Sequence, residues 1–208
     1  TTKERNGTIT DLRADTHPSV IYVNYNSIIP ETSEYVRPRV KIEISSLSMD
    51  EPVETRTLRS FISEAVPDAE DMEIKFKTVM PTRTFLEKIF LLHEEFQKKN
   101  PRSYRMSRHL YDIERIMDTS FGNEALKDLK LYDEIIAHRN IFNHIDGVDY
   151  SSHKHDRINF IPPAELIDDW RNDYNSLEKH FLYSSATHLS FDQLLDRMLE
   201  LLKRIRTM

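Results

Sequence analysis

The sequence predicts an α+β fold, a small mixed β-sheet followed by a helical bundle. Before residue 81, three runs alternate β-branched or aromatic residues with polar ones, the period of a half-buried strand. From Pro81 onward, apolar residues recur with the three-to-four spacing of amphipathic helices. A length of 208 residues is enough for one sizeable domain or two small ones. The expected division is a sheet region over 1–80 and a helical C-terminal domain over 81–208.

Residues 1–19 are polar and read as an exposed lead-in. Residues 20–28 (V-I-Y-V-N-Y-N-S-I) read as a strand, and 35–47 as a second. In the second, Val40, Ile42 and Ile44 point one way while Lys41 and Glu43 point the other. Pro38 predicts that this strand begins at an edge or after a bend. Residues 50–72 are acidic, with a short helix expected near 57–65 and ended by Pro67. Residues 73–80 (E-I-K-F-K-T-V-M) read as a third strand. Helices are expected near 82–98, 106–118, 123–140, 163–182 and 190–206. Asn100-Pro101 and Phe121-Gly122-Asn123 read as breaks, and Pro162-Pro163 suits a helix start. Ser190 with Gln193 is a capping-box signature. The broad face that follows it carries Phe191, Leu194, Leu195, Met198, Leu201, Leu202 and Ile205.

Composition excludes several classes. Cysteine is absent, so neither a disulfide framework nor a thiolate metal site can form. The three glycines, Gly7, Gly122 and Gly147, never fall close together. Phosphate-cradling loops of the P-loop or Rossmann kind need such clustering and are disfavoured. No apolar run is long enough to cross a bilayer and no signal peptide is visible, which fits a cytoplasmic protein. The chain begins Thr-Thr, which fits a fragment or trimmed piece of a longer protein, with a processed N-terminus as the bland alternative. Formal net charge is −6, yet residues 83–115 hold eight basic against five acidic side chains. A basic patch on an acidic body suits a phosphate-bearing ligand better than a long duplex.

The strongest candidate site lies in that patch. Lys88 borders the stripe Phe85, Ile89, Leu92 and Phe96, and Asp112 borders the stripe Leu110, Ile113 and Met117. Packing the stripes together can bring the lysine and aspartate into contact. The bland alternatives are a snorkelling ammonium and an aspartate satisfying the helix dipole. Arg83, Arg105, Arg108 and Arg115 crowd the same region. Guanidinium groups at that density need an anion or carboxylates between them, and a phosphate would complete the cluster. His109, between Arg108 and Tyr111-Asp112, belongs to the same candidate phosphate site. Glu43 is a carboxylate on a strand, where magnesium ligands are often held, although pairing with Lys41 is the simpler reading. Neither His138 and His144 nor His153 and His155 have compact zinc spacing, and His93 reads as helix-interface packing. Tyr104, Tyr111 and Tyr132 could stack a base or sit at the core edge. Trp170 and Tyr174 read as core.

The segments P-T-R-T-F-L-E-K-I-F-L-L-H at 81–93, Y-R-M-S-R-H-L-Y-D-I at 104–113 and V-K-I-E-I-S at 40–45 resemble nucleotidyltransferases of the AbiEii/AbiGii toxin family. The segments I-Y-V-N-Y and L-Y-D-E-I-I-A-H-R-N-I-F at 131–142, with the closing helices, extend the resemblance over most of 20–205. It implies an abortive-infection or toxin–antitoxin protein that transfers a nucleotide from an NTP, with Mg2+, to an RNA (tRNA) or protein acceptor. It also implies a cognate antitoxin. The family's lysine falls on Lys88 and its helix aspartate on Asp112. Its strand carboxylate, a metal ligand, falls on Glu43. Lys88 would contact the phosphates, and Asp112 would orient Lys88 or act as base toward the acceptor hydroxyl. Arg83, Arg105, Arg108 and His109 would support phosphates or acceptor. The family's Gly-Ser turn with Asp-x-Asp has no counterpart, since Gly7-Thr8 is followed by Asp11 and Asp15. Residues 1–80 therefore resemble a partial nucleotidyltransferase sheet, and the chain is expected to keep a lysine–aspartate half-site without full catalysis. The alternative is a non-enzymatic protein-interaction module, in which the basic cluster only balances internal acids.

Overall fold

A computed structural model of the protein describes residues 3–4, 7–13, 19–28, 37–45, 49, 52–66, 73–182 and 188–208. Four strands, β1 (Lys3–Glu4), β2 (Gly7–Arg13), β3 (Ser19–Asn24) and β4 (Arg39–Ile44), form one sheet in sequential order. β5 (Val53–Leu58) and β6 (Ile74–Val79) form a second, with α1 (Phe61–Ala65) between them. The bundle follows: α2 (Pro81–Gln97), α3 (Ser107–Met117), α4 (Ser120–Lys127), α5 (Leu129–Phe142), α6 (Ile167–His180) and α7 (Phe191–Arg206). The fold is α+β.

All described pairings are antiparallel, not mixed as expected from the sequence. The β3–β4 register sets Ile21 opposite Ile42 and Val23 opposite Val40, with Tyr22 opposite Lys41 and Val20 opposite Glu43. The alternation of β4 thus falls as expected, and β4 begins directly after Pro38. Three strands were missed. β1 and β2 lie within the stretch read as lead-in, and β5 (V-E-T-R-T-L) lacks the alternating apolar signal. The helix near 57–65 shortens to α1 because β5 runs to Leu58. Pro67, expected to end it, lies outside the described residues, as do Tyr35, Val36, Ser46 and Leu47.

The core sits in the bundle. Phe85, Leu86, Ile89, Phe90 and Leu92 of α2 are sealed from solvent against Leu110, Ile113 and Met117 of α3. Trp170, Tyr174 and Leu177 of α6 join from one side, and Phe191, Leu194, Met198, Leu201 and Ile205 of α7 from another. Pro81 opens α2, where its missing N–H costs nothing. The Ser190–Gln193 capping box opens α7.

The expected helix at 123–140 is two helices. Asp128 ends α4 and caps α5, its carboxylate accepting from the Leu131 amide at 2.9 Å. Gly122, read as a break, lies inside α4. Its role is close approach, because a Cβ there would meet the Met117 carbonyl oxygen at 2.7 Å.

Candidate functional site

Packing of α2 on α3 brings Lys88 and Asp112 together, with Nζ 2.8 Å from Oδ2. The side chains are 21% and 40% exposed. A pair this open to water stabilises by at most about 1 kcal/mol, so its ammonium can exchange partners at little cost to the fold. Lys88 Nζ also lies 3.4 Å from His109 Nδ1, one turn of α3 before Asp112. Burial pushes the His109 imidazole down to about 3, and the nearby charges of Lys88, Arg108 and Arg102 push the same way. The neutral ring can therefore accept from the ammonium through Nδ1.

Two clefts meet at this pair. One, of about 290 Å³, is lined by Val79, Arg83, Thr84, Glu87 and Leu91 as well as Lys88 and His109. The other, of about 300 Å³, is lined by Lys88, Arg108, His109, Tyr111 and Asp112, and by Leu177, Phe181 and Leu182 at the C-terminal end of α6. Lys88 and His109 form the wall common to both.

The arginine cluster is answered by carboxylates only in part. Arg83 is buried and donates to Glu87 at 2.8 Å. Glu95, also buried, accepts from the Arg102 amide and guanidinium and from Lys98. Burial alone would raise the Glu95 carboxyl, but these donors outweigh it and hold it at about 2. Arg108 is exposed and has no hydrogen-bond or ion-pair partner among the described residues. Arg105 lines neither cleft. It adopts the left-handed conformation (φ 58°), with its backbone N–H donating to Asp173 Oδ1 at 2.5 Å. The Ser107 N–H donates to Asp173 Oδ2 at 2.9 Å.

Behind the site runs a buried polar chain that the sequence did not disclose. Arg139 donates to Glu94 through Nε at 2.7 Å and Nη2 at 2.5 Å, and reaches Glu87 at 3.4 Å. His153 Nε2 lies 3.2 Å from Glu94. His93 lies between Asn159 and the Ser152 hydroxyl, with its ring edge-on to His153, so it packs at an interface as read. Burial lowers the His93 pKa. The available signal was the pair Glu94-Glu95 inside an apolar helix. Buried carboxylates require partners, but the sequence could not say which. Tyr132 is buried and its hydroxyl donates to the His153 carbonyl, so it is not open to a base.

Glu43 stands apart from this constellation. It lies on β4, is half exposed and pairs with Lys41. Among the described residues no group of three or more His, Asp or Glu could hold a metal ion. No described helix is long and apolar enough to cross a membrane.

The family model described as "Nucleotidyl transferase AbiEii toxin, Type IV TA system" matches residues 2–197. No curated protein and no solved structure matches the chain.

Proposed function

The chain belongs to the AbiEii nucleotidyl transferase toxin family, and on that footing we propose that it carries the lysine–aspartate part of a nucleotide-transfer site. The substrates are an NTP and an RNA or protein acceptor, and the partner is a cognate antitoxin. The observation that carries the reading is the Lys88–Asp112 contact between α2 and α3, with neutral His109 beside it. In transfer, the acceptor oxygen bonds to the α-phosphorus as the bond to the pyrophosphate oxygen breaks. Negative charge grows on the leaving pyrophosphate, and fixed cations that meet it stabilise the transition state. Lys88 and Arg108 supply such cations. Asp112 orients the Lys88 ammonium, a role its 2.8 Å contact supports, or takes the proton that the acceptor hydroxyl loses as its oxygen bonds to phosphorus. His109, being neutral, adds no charge that would hold the phosphates after transfer. Arg83 is engaged by Glu87, so it supports the site through packing. Residues 1–80 act as the sheet region and 81–208 as the helical domain that holds the half-site.

One observation favours a second reading, an interaction module. Apolar side chains of β4 and β6 are open, with Val40, Ile42, Ile44 and Phe76 all exposed. Titration with each of the four NTPs, followed by heteronuclear NMR, separates the two readings. The transfer reading expects shifts clustered at Lys88, Arg108 and Asp112 that disappear in Lys88→Ala. Shifts that persist in that variant, or none at millimolar nucleotide, would leave the interaction module standing.

A further inference from the structure

We propose that the cleft between α3 and the C-terminal end of α6 is the subsite for the nucleobase, with the phosphates held by Lys88 and Arg108 at its α2–α3 side. This rests on the transfer reading above and goes further by saying where the base sits. The two clefts at Lys88 are nearly equal in size but differ in chemistry. In the first, Arg83 is already bonded to Glu87, and among the described lining residues the only aromatic ring is the His109 imidazole shared with its neighbour. The second is lined by Lys88 of α2 and Arg108, Tyr111 and Asp112 of α3, and by Leu177, Phe181 and Leu182 at the end of α6. Cations beside an apolar, aromatic wall match a molecule with an anionic tail and a flat ring. A volume of about 300 Å³ falls at the small end of ligand pockets, suited to a single nucleotide.

The wall is also held in place. Asp173, Leu177 and Phe181 follow one another at intervals of four, so one face of α6 both grips α3 and lines the cleft. The grip uses both oxygens of Asp173, one on the Arg105 amide and the other on the Ser107 amide and hydroxyl. The strained backbone at Arg105 is kept by this contact, which fixes α3 against α6 before any ligand arrives. Phe181 continues the wall past the helix end, its amide bonded to the Leu177 carbonyl at 2.9 Å. It is 62% exposed and lines the cleft.

The test compares ligands with and without a base. Calorimetric titration of the full chain with ATP, GTP, CTP and UTP, and with inorganic tripolyphosphate, is run on the wild type, Phe181→Ala, Phe181→Tyr and Lys88→Ala. Losing one base-stacking ring weakens binding by about 5- to 100-fold. The expected result is that Phe181→Ala weakens at least one NTP by that factor while tripolyphosphate binds unchanged. Phe181→Tyr should restore the NTP, and Lys88→Ala should weaken both classes. If Phe181→Ala leaves every NTP unchanged, or weakens tripolyphosphate equally, the nucleobase subsite is overturned while the Lys88 phosphate site survives. If wild type binds neither class, the transfer reading falls and the subsite falls with it.

Discussion

Arg139→Met tests the buried polar chain behind the site. Glu94 is 1% exposed, and Arg139 gives it two hydrogen bonds, at 2.7 and 2.5 Å. Methionine fills much of the space and removes both. The carboxylate then keeps only His153 Nε2 at 3.2 Å. Leaving a buried charge without its partner costs about 3–5 kcal/mol. In a chain of 208 residues that corresponds to a fall in Tm of roughly 6–20 °C. The double variant Glu94→Leu/Arg139→Met removes the stranded charge and strands only His153 Nε2, at about 1–3 kcal/mol. It should therefore be more stable than the single variant. The sign of the pH dependence follows from Glu94. Burial would raise its carboxyl, but the bonds from Arg139 and His153 outweigh burial and place it below the ordinary carboxylate range. In the wild type this stabilisation is complete above the unfolded-state pKa and is lost as pH falls toward the folded value. Without Arg139 the burial effect dominates and the carboxyl shifts up. Protonation then relieves the stranded charge, and the gap between variant and wild type narrows on acidification. Urea denaturation at pH 7 and pH 4.5 measures each quantity. A single variant within about 1 kcal/mol of wild type at pH 7 would show that water reaches Glu94, and the account of the chain would be wrong.

Two further predictions concern the helices around the site. Gly122→Ala gains up to about 1 kcal/mol of helix propensity, but its methyl would press on the carbonyl oxygens of Ile116 and Met117. Backbone at both ends of that contact cannot yield cheaply, so a net loss of about 1–3 kcal/mol is expected in thermal melts; a stabilised variant would refute the close-approach role. His109 should show no protonation between pH 8 and 5 in proton–nitrogen correlation spectra, and should begin to titrate only toward about 3. A midpoint near the ordinary histidine value would mean that the ring is hydrated and not walled in beside Lys88.

The parts of this fold that could be read in advance are those where one periodic signal decides the outcome. Phe85–Ile89–Leu92 and Leu110–Ile113–Met117 are long, regular stripes, and packing them placed Lys88 against Asp112. Ser190 and Gln193 are a local rule obeyed. β5 escaped because V-E-T-R-T-L carries no apolar face of its own and becomes a strand through pairing with β6. Gly122 misled because flexibility and close approach look alike in a sequence. Within the site, the arginine cluster was visible but its neutralisation was not. Glu87 answers Arg83 one turn away and Glu95 answers Arg102 across a break in the helix, whereas Asp173 holds only the Arg105 backbone amide, across 68 residues of chain. Contacts of that range leave no periodic trace.

The wall shared by the two clefts has a thermodynamic consequence. A single ammonium, Lys88, serves both sides, with Asp112 and His109 as its present partners. A ligand that draws Nζ into one cleft withdraws it from the other, so occupancy of the two is linked through one group with three donors. Linkage of this kind is reciprocal: whatever factor the first ligand imposes on the second, the second imposes on the first. A molecule that engages Lys88 from either cleft would thereby shift the affinity of the other without any change in the fold.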